Sequence, residues 1–187
     1  MNPTRRSVLP MIAWIAGGTI VEAEAAHAAS ARQLNNDANQ ALRTLYATQP
    51  KTRPLATSAK GILIFPKIIK AGLIIGGQSG DGVLWVNGHA TGYYNISAAS
   101  FGLQAGAQTF SYVLFFMTDA ALKYLHDSDG WAIGTGPSVV VVDKGAAASL
   151  TSTTVTQDVY AFPFGARGLM AGLGLEGSKI THIHPGA

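Results

Sequence analysis

The sequence predicts an α+β fold: a mainly antiparallel, β-rich single domain with an N-terminal amphipathic helix and a short central helix. Three observations carry this. The stretch 59–82, AKGILIFPKIIKAGLIIGGQSGDG, is dense in β-branched residues but broken by Pro66 and closed by glycines. Leu34, Ala38, Ala41, Leu42, Leu45 and Tyr46 recur at helical spacing. The last third alternates runs of valine and threonine with glycine and proline, which is the pattern of strands and turns.

In the central stretch, Ile62 to Phe65, Ile68, Ile69 and Leu73 to Ile75 read as two short buried strands around a turn. Its glycines, Gly76, Gly77, Gly80 and Gly82, read as a GGQSGDG turn with open backbone amides. Lys60, Lys67 and Lys70 make the rim of this unit basic.

Ahead of it, Ser30 to Thr48 reads as a helix ended by Pro50, with Asn35, Asn36, Asn39, Gln40 and Arg43 on the polar faces. Its apolar face can lie on an anionic membrane or pack on the protein's own sheet. After the core stretch, Val83 to Val86 is a short strand, and Gly88, Gly92 and Asn95 mark turns around Tyr93 and Tyr94. Thr109 to Met117, TFSYVLFFM, reads as a buried strand. Thr118 then caps a helix through His126 with Ala121, Leu122 and Leu125 inward. Val139 to Val142, Ser149 to Phe162 and Leu169 to Leu175 complete the strands.

Residues 1–28 have the layout of an export signal: Arg5 and Arg6, an apolar run from Val8 to Val21, and Ala26-His27-Ala28 as a cleavage site. Thr4-Arg5-Arg6-Ser7-Val8-Leu9 fits a twin-arginine signal, and an ordinary secretory signal carrying two arginines fits as well. The expected mature domain is therefore 29–187, periplasmic or secreted from a bacterium, and peripheral to a membrane.

Composition limits the chemistry. Without cysteine there is no disulfide, thiolate metal site or thiol nucleophile. No nucleophile elbow, nucleotide fingerprint or carboxylate pair is present, so the chain reads as no enzyme and needs no cofactor. The turn Asp127-Ser128-Asp129-Gly130 lacks the remaining ligands of a calcium loop. His182 and His184, two apart near the C-terminus, share a face of a strand but have no third ligand nearby in sequence, and no metal site is assigned.

Charge is unevenly spread. From Ala29 to Lys70 the net charge is +6, with Asp37 the sole acid, whereas from Ala71 onward it is −3. Arg32, Arg43, Lys51, Arg53, Lys60, Lys67 and Lys70 thus form a basic front suited to anionic phospholipid. Nucleic acid is not expected outside the cytoplasm. The mechanism this implies is electrostatic approach, at roughly 1 kcal/mol per cation near an anionic surface, followed by burial of the apolar helix face. The alternative is a structural or interaction protein of the envelope, with a protein partner and no direct lipid contact.

Five blocks in order add a resemblance: AKGILIFPKIIKAGLIIGGQSGDGVL, YYNISAASFGLQAGAQ, VLFFMTDAAL, GTGPSVVVV and RGLMAGLGLEGSKI. Together they resemble the SYLF domain family, the lipid-binding or yeast actin-patch protein type, over about Leu34 to Ile183. The resemblance implies a β-rich, lipid-binding domain of an exported bacterial member. It places membrane contact at the Ser30 to Thr48 helix and at Lys60, Lys67 and Lys70. This chain departs from the family pattern at Ser111, where members usually carry an acid, and at Phe162-Pro163-Phe164-Gly165 ahead of Arg167.

Overall fold

A computed structural model describes residues 18–72, 75–101, 106–147, 156–168, 175 and 177–185. Helix α1 (Gly18–Thr48) leads through a 3-10 turn (Pro50–Thr52) and α2 (Arg53–Ser58) into four long strands: β1 (Gly61–Gly72), β2 (Ile75–Val86), β3 (His89–Phe101) and β4 (Gly106–Phe116). Then come α3 (Asp119–Asp127), β5 (Trp131–Ala132), β6 (Val139–Val141), α4 (Lys144–Ala147), β7 (Val159–Gly168) and β8 (Lys179–Ile183). The strands form one curled eight-stranded sheet in the order β5-β8-β3-β2-β1-β4-β7-β6. All described pairings are antiparallel except β6 with β7. A mainly antiparallel α+β fold is thus what the sequence folds into.

The central strands bury both faces, so two cores form. One face gathers Leu63, Phe65, Ile68, Leu84, Phe110 and Phe116, closed by Ala121 and Leu125 of α3 and by Trp131. The opposite face sets Ile64, Val83, Val113, Phe115 and Phe162 against Ala38, Leu42 and Leu45 of α1, with Leu55 of α2 beside them. Leu45 and Ala38 are wholly buried. Helical spacing therefore located the apolar face of α1, and the sheet takes that face up. Asn35, which the periodicity puts on a polar face, fastens the helix in place. Its amide donates to Tyr93 Oη (2.8 Å), and its carbonyl accepts from Trp85 Nε1 (3.2 Å). The helix also runs back through the expected cleavage site to Gly18. The expected signal up to residue 17 lies outside the described residues.

Two turn assignments are corrected. GGQSGDG is not a turn: Gly76 to Gly82 lie within β2, paired with β1 and β3, and the β1–β2 connection falls at residues 73–74, outside the described residues. Gly92 and Asn95 likewise sit inside β3, and the turn preceding it is Asn87-Gly88, both at positive φ (52° and 79°). The β2 glycines serve close approach instead. A Cβ on Gly82 would lie 2.5 Å from the Phe65 ring and 2.6 Å from Ile64 O, and one on Gly80 would lie 2.5 Å from Lys67 O.

Beyond Met117, Thr118 caps α3 as its position indicates, with Oγ1 accepting from Ala121 N at 3.2 Å. Thr118 also donates to Asp158 Oδ1 (3.2 Å), while Asp158 Oδ2 accepts from the backbone N (3.0 Å) and hydroxyl (2.9 Å) of Ser138. Asp158 thereby ties the start of β7 to the cap of α3 and to the residue before β6. Of the other expected strands, Val139–Val141 forms β6 and Val159–Gly168 forms β7, while 148–155 and 169–174 lie outside the described residues.

Gly82→Ala is expected to lower stability by about 1–3 kcal/mol, because the added methyl meets backbone and a buried ring; the urea midpoint measures it. Asp158→Asn tests the tie through pH. The backbone and then the hydroxyl bond from Ser138 hold this carboxyl below its ordinary value of 3.8. Its stabilisation is therefore present above that pH and is lost as pH falls through the lower folded-state value. The variant should be less stable than the parent at neutral pH, and the gap should close as pH falls below 3.8.

Candidate functional site

In the middle of β1 the ladder slips. Phe65 pairs with Tyr112 and Ile68 with Phe110, so Pro66 and Lys67 together oppose Ser111. One strand over, Thr109 pairs with Arg167 and Ser111 with Phe164, so Gly165 and Ala166 oppose Phe110. Gly165 takes φ +66°, the left-handed region in which glycine carries no side-chain strain. Two bulges thus lie at one level on adjacent strand pairs, and bulges bend strands and re-aim side chains. Ser111 Oγ bridges them by donating to Pro66 O at 2.7 Å. Pro66 suits this place, since a bulge does not require its missing N–H.

The bulged level meets the flank of α1, and a groove of about 450 Å³ opens between them. The helix contributes Asp37, Gln40 and Thr44, and the sheet contributes Lys67, Thr109, Ser111 and Arg167. Asp37 Oδ1 accepts from Gln33 Nε2 (2.9 Å), and Thr44 Oγ1 donates to Gln40 O (2.9 Å). Lys67 and Arg167 are exposed and enter no ion pair among the described residues.

Past the groove the helix no longer covers the sheet. A second depression, about 570 Å³, is lined by Lys67, Ile69 and Ala71 of β1 and by Gly77, Ser79 and Asp81 of β2. Ile69 is 49% and Ile75 68% exposed, and the alternation along β1 and β2 sets both on this face. They are the most exposed isoleucines among the described residues.

The basic front is not one patch. Lys67 lines both depressions. Lys60 sits at the other end of β1, about 20 Å away at the rise of a strand, and pairs with Asp119 at 3.7 Å. Arg53 stacks over Tyr46, 5.2 Å from the ring centroid. Arg32 and Arg43 are exposed on α1, Lys51 is exposed in the link, and Lys70 is half-buried on β1. Arg167 was not in the sequence-derived set; only the pairing of β7 with β4 brings it beside Thr109.

His182 and His184 do share one side of β8, their rings 5.4 Å apart. The fold also brings in His126, remote in sequence: Nδ1 lies 3.4 Å from Tyr94 Oη, and the Tyr94 ring meets His182 edge-on at 5.2 Å. Burial pushes the Tyr94 phenol up. Among the described residues no three histidines or acids are placed to hold a metal ion.

The fold and groove define a sheet-built binding domain. A family model, Ysc84, described as Las17-binding protein actin regulator, matches residues 97–184. Over that segment the chain belongs to the Ysc84, or SYLF, family, as the sequence blocks indicated. No curated protein matches the chain. The matched segment supplies Thr109, Ser111, Gly165 and Arg167, whereas the groove residues from α1 and β1 precede it. Both departures from the family pattern, Ser111 and the segment at Phe164-Gly165, fall in this groove.

Gly165→Ala places a side chain at φ +66°. A loss of about 1–2 kcal/mol in unfolding free energy is expected, with chemical-shift changes confined to the Gly165 to Arg167 segment and its β4 neighbours.

Proposed function

We propose that this chain is a non-enzymatic, exported binding module that docks on anionic lipid or a phosphate-bearing envelope surface. The observation that carries the reading is the uncovered end of the sheet, where exposed Ile69 and Ile75 stand beside Lys67 and Arg167, cations without ion-pair partners among the described residues. Apolar side chains flanked by unpaired cations suit an interface whose headgroups are negative and whose interior is hydrocarbon. Membership in the Ysc84 family supports a binding role in general terms. The signal-like N-terminus supports export, and an exported domain would not meet actin, so that part of the family's description is not carried over.

The helical mechanism is revised. Ala38, Leu42 and Leu45 are packed on the sheet, so the face of α1 from residue 38 onward is not available to a membrane. No described helix is long and apolar enough to cross a bilayer. Contact falls instead to the strand end. The packed helix and the scattered cations favour the second reading, a structural partner of another envelope protein.

Co-sedimentation of the full chain with anionic and neutral vesicles at two salt concentrations separates the two. Salt-sensitive binding to anionic vesicles is expected, lowered about tenfold by the double change Ile69→Ser and Ile75→Ser and further by Lys67→Gln. Failure to bind any vesicle would overturn the lipid reading in favour of a protein partner. Binding unmoved by these variants would remove the strand end from the interface.

A further inference from the structure

We propose that the groove between α1 and the bulges of β1, β4 and β7 binds a phosphate carried on a polyol, such as a glycerophosphate group. This rests on the proposed phosphate-binding role and names the headgroup chemistry.

The groove has two chemically distinct parts. Lys67 and Arg167, from strands with β4 between them, bring positive charge from opposite sides without an ion-pair partner among the described residues. Arginine and lysine at such a place suit phosphate oxygens. The remaining polar groups mostly do not. The hydroxyl protons of Ser111 and Thr44 are committed to Pro66 O and Gln40 O, so these oxygens offer only lone pairs to a ligand. Asp37 is acceptor-only, and Gln33 occupies only one of its oxygens. Three acceptors would repel the oxygens of bare phosphate but would accept from O–H groups.

A phosphate ester with free hydroxyls satisfies both parts at once; an alkyl phosphate satisfies only the cations. The volume, about 450 Å³, is in the range of small-molecule sites. Lys67 also lines the depression beside Ile69, so a headgroup held in the groove lies next to the exposed isoleucine. The polyol phosphate can come from a lipid headgroup or from a soluble ester, and both sources need the same recognition.

The test pairs two vesicle types of equal charge with one soluble probe, all on the full chain. Vesicles containing phosphatidylglycerol are compared at matched mole fraction and salt with vesicles containing phosphatidylethanol, which has the same phosphodiester charge but no hydroxyl. Glycerophosphoglycerol is titrated calorimetrically. We expect about fivefold tighter binding to phosphatidylglycerol, the worth of one or two hydrogen bonds. Asp37→Asn and Ser111→Ala should reduce that preference, and Arg167→Gln should weaken binding to both vesicle types, with circular dichroism unchanged.

Glycerophosphoglycerol binding lost in Arg167→Gln, with no vesicle binding, would keep the groove for a soluble ester and overturn the membrane reading. Phosphatidylglycerol preference without binding of the soluble probe would assign the lipid as the source. Equal binding to both vesicle types, together with no binding of the soluble probe, would overturn the groove and leave the surface reading standing. Binding to none of the three would overturn both.

Discussion

The structure depends on how closely β1 and β2 approach one another around the slip in β1. Phe65 and Ile68 enter the same core although they are an odd number of residues apart, which strict alternation forbids. An extra residue makes this possible, and on the β2 side the four residues Phe65 to Ile68 face only Gly80 to Gly82. At Gly80 and Gly82 an added Cβ would reach 2.5 Å from Lys67 O and from the Phe65 ring, respectively. Glycine at both sites is what allows β1 to remain in the middle of the sheet with a bulge in it. From that follow the cores on both faces, the exit of Lys67 toward solvent, and the matching irregularity in β7.

This constraint explains which parts of the fold were legible in the sequence. Features set by local periodicity came through: the buried face of α1, the cap at Thr118, the long apolar β4 and the shared face of His182 and His184. Features set by what lies across the sheet did not. Glycines in GGQSGDG look like a turn because glycine's commonest local use is a turn, whereas here their lack of a side chain is used by a neighbouring strand. Asn35 looks like a solvent-facing residue until Trp85 and Tyr93 are placed beside it. The same limit hid most of the groove. Lys67 and Arg167 are a hundred residues apart, and their convergence depends on the order β1-β4-β7 and on two bulges, neither of which has a periodic signature.

Charge counted along the chain and charge counted on the surface therefore describe different things. The excess of +6 between Ala29 and Lys70 is real, but the fold spreads it over both ends of β1 and over the link after α1. Lys60 meets Asp119, and Arg53 lies on Tyr46. An exposed pair such as Lys60 with Asp119 contributes little to stability, yet it lessens the field that a ligand would meet there. At the bulged level the balance is different, because Lys67 and Arg167 have only Asp37 as an acidic neighbour within the groove.

The position of α1 decides how such a domain could meet a membrane. A helix that swung out to insert would uncover Ile64, Val83, Val113, Phe115 and Phe162, all fully buried. At about 25 cal/mol per Å² of apolar surface returned to water, uncovering five such side chains would offset what the helix could gain in lipid. The sheet end carries no comparable penalty, since Ile69 and Ile75 are already exposed before any partner arrives. An interface built there forms without unpacking a core, and its cations are held by strands rather than by a detachable element. Rigid presentation of this kind favours recognition of a defined headgroup over general adhesion, because side chains fixed by the backbone lose less entropy on contact.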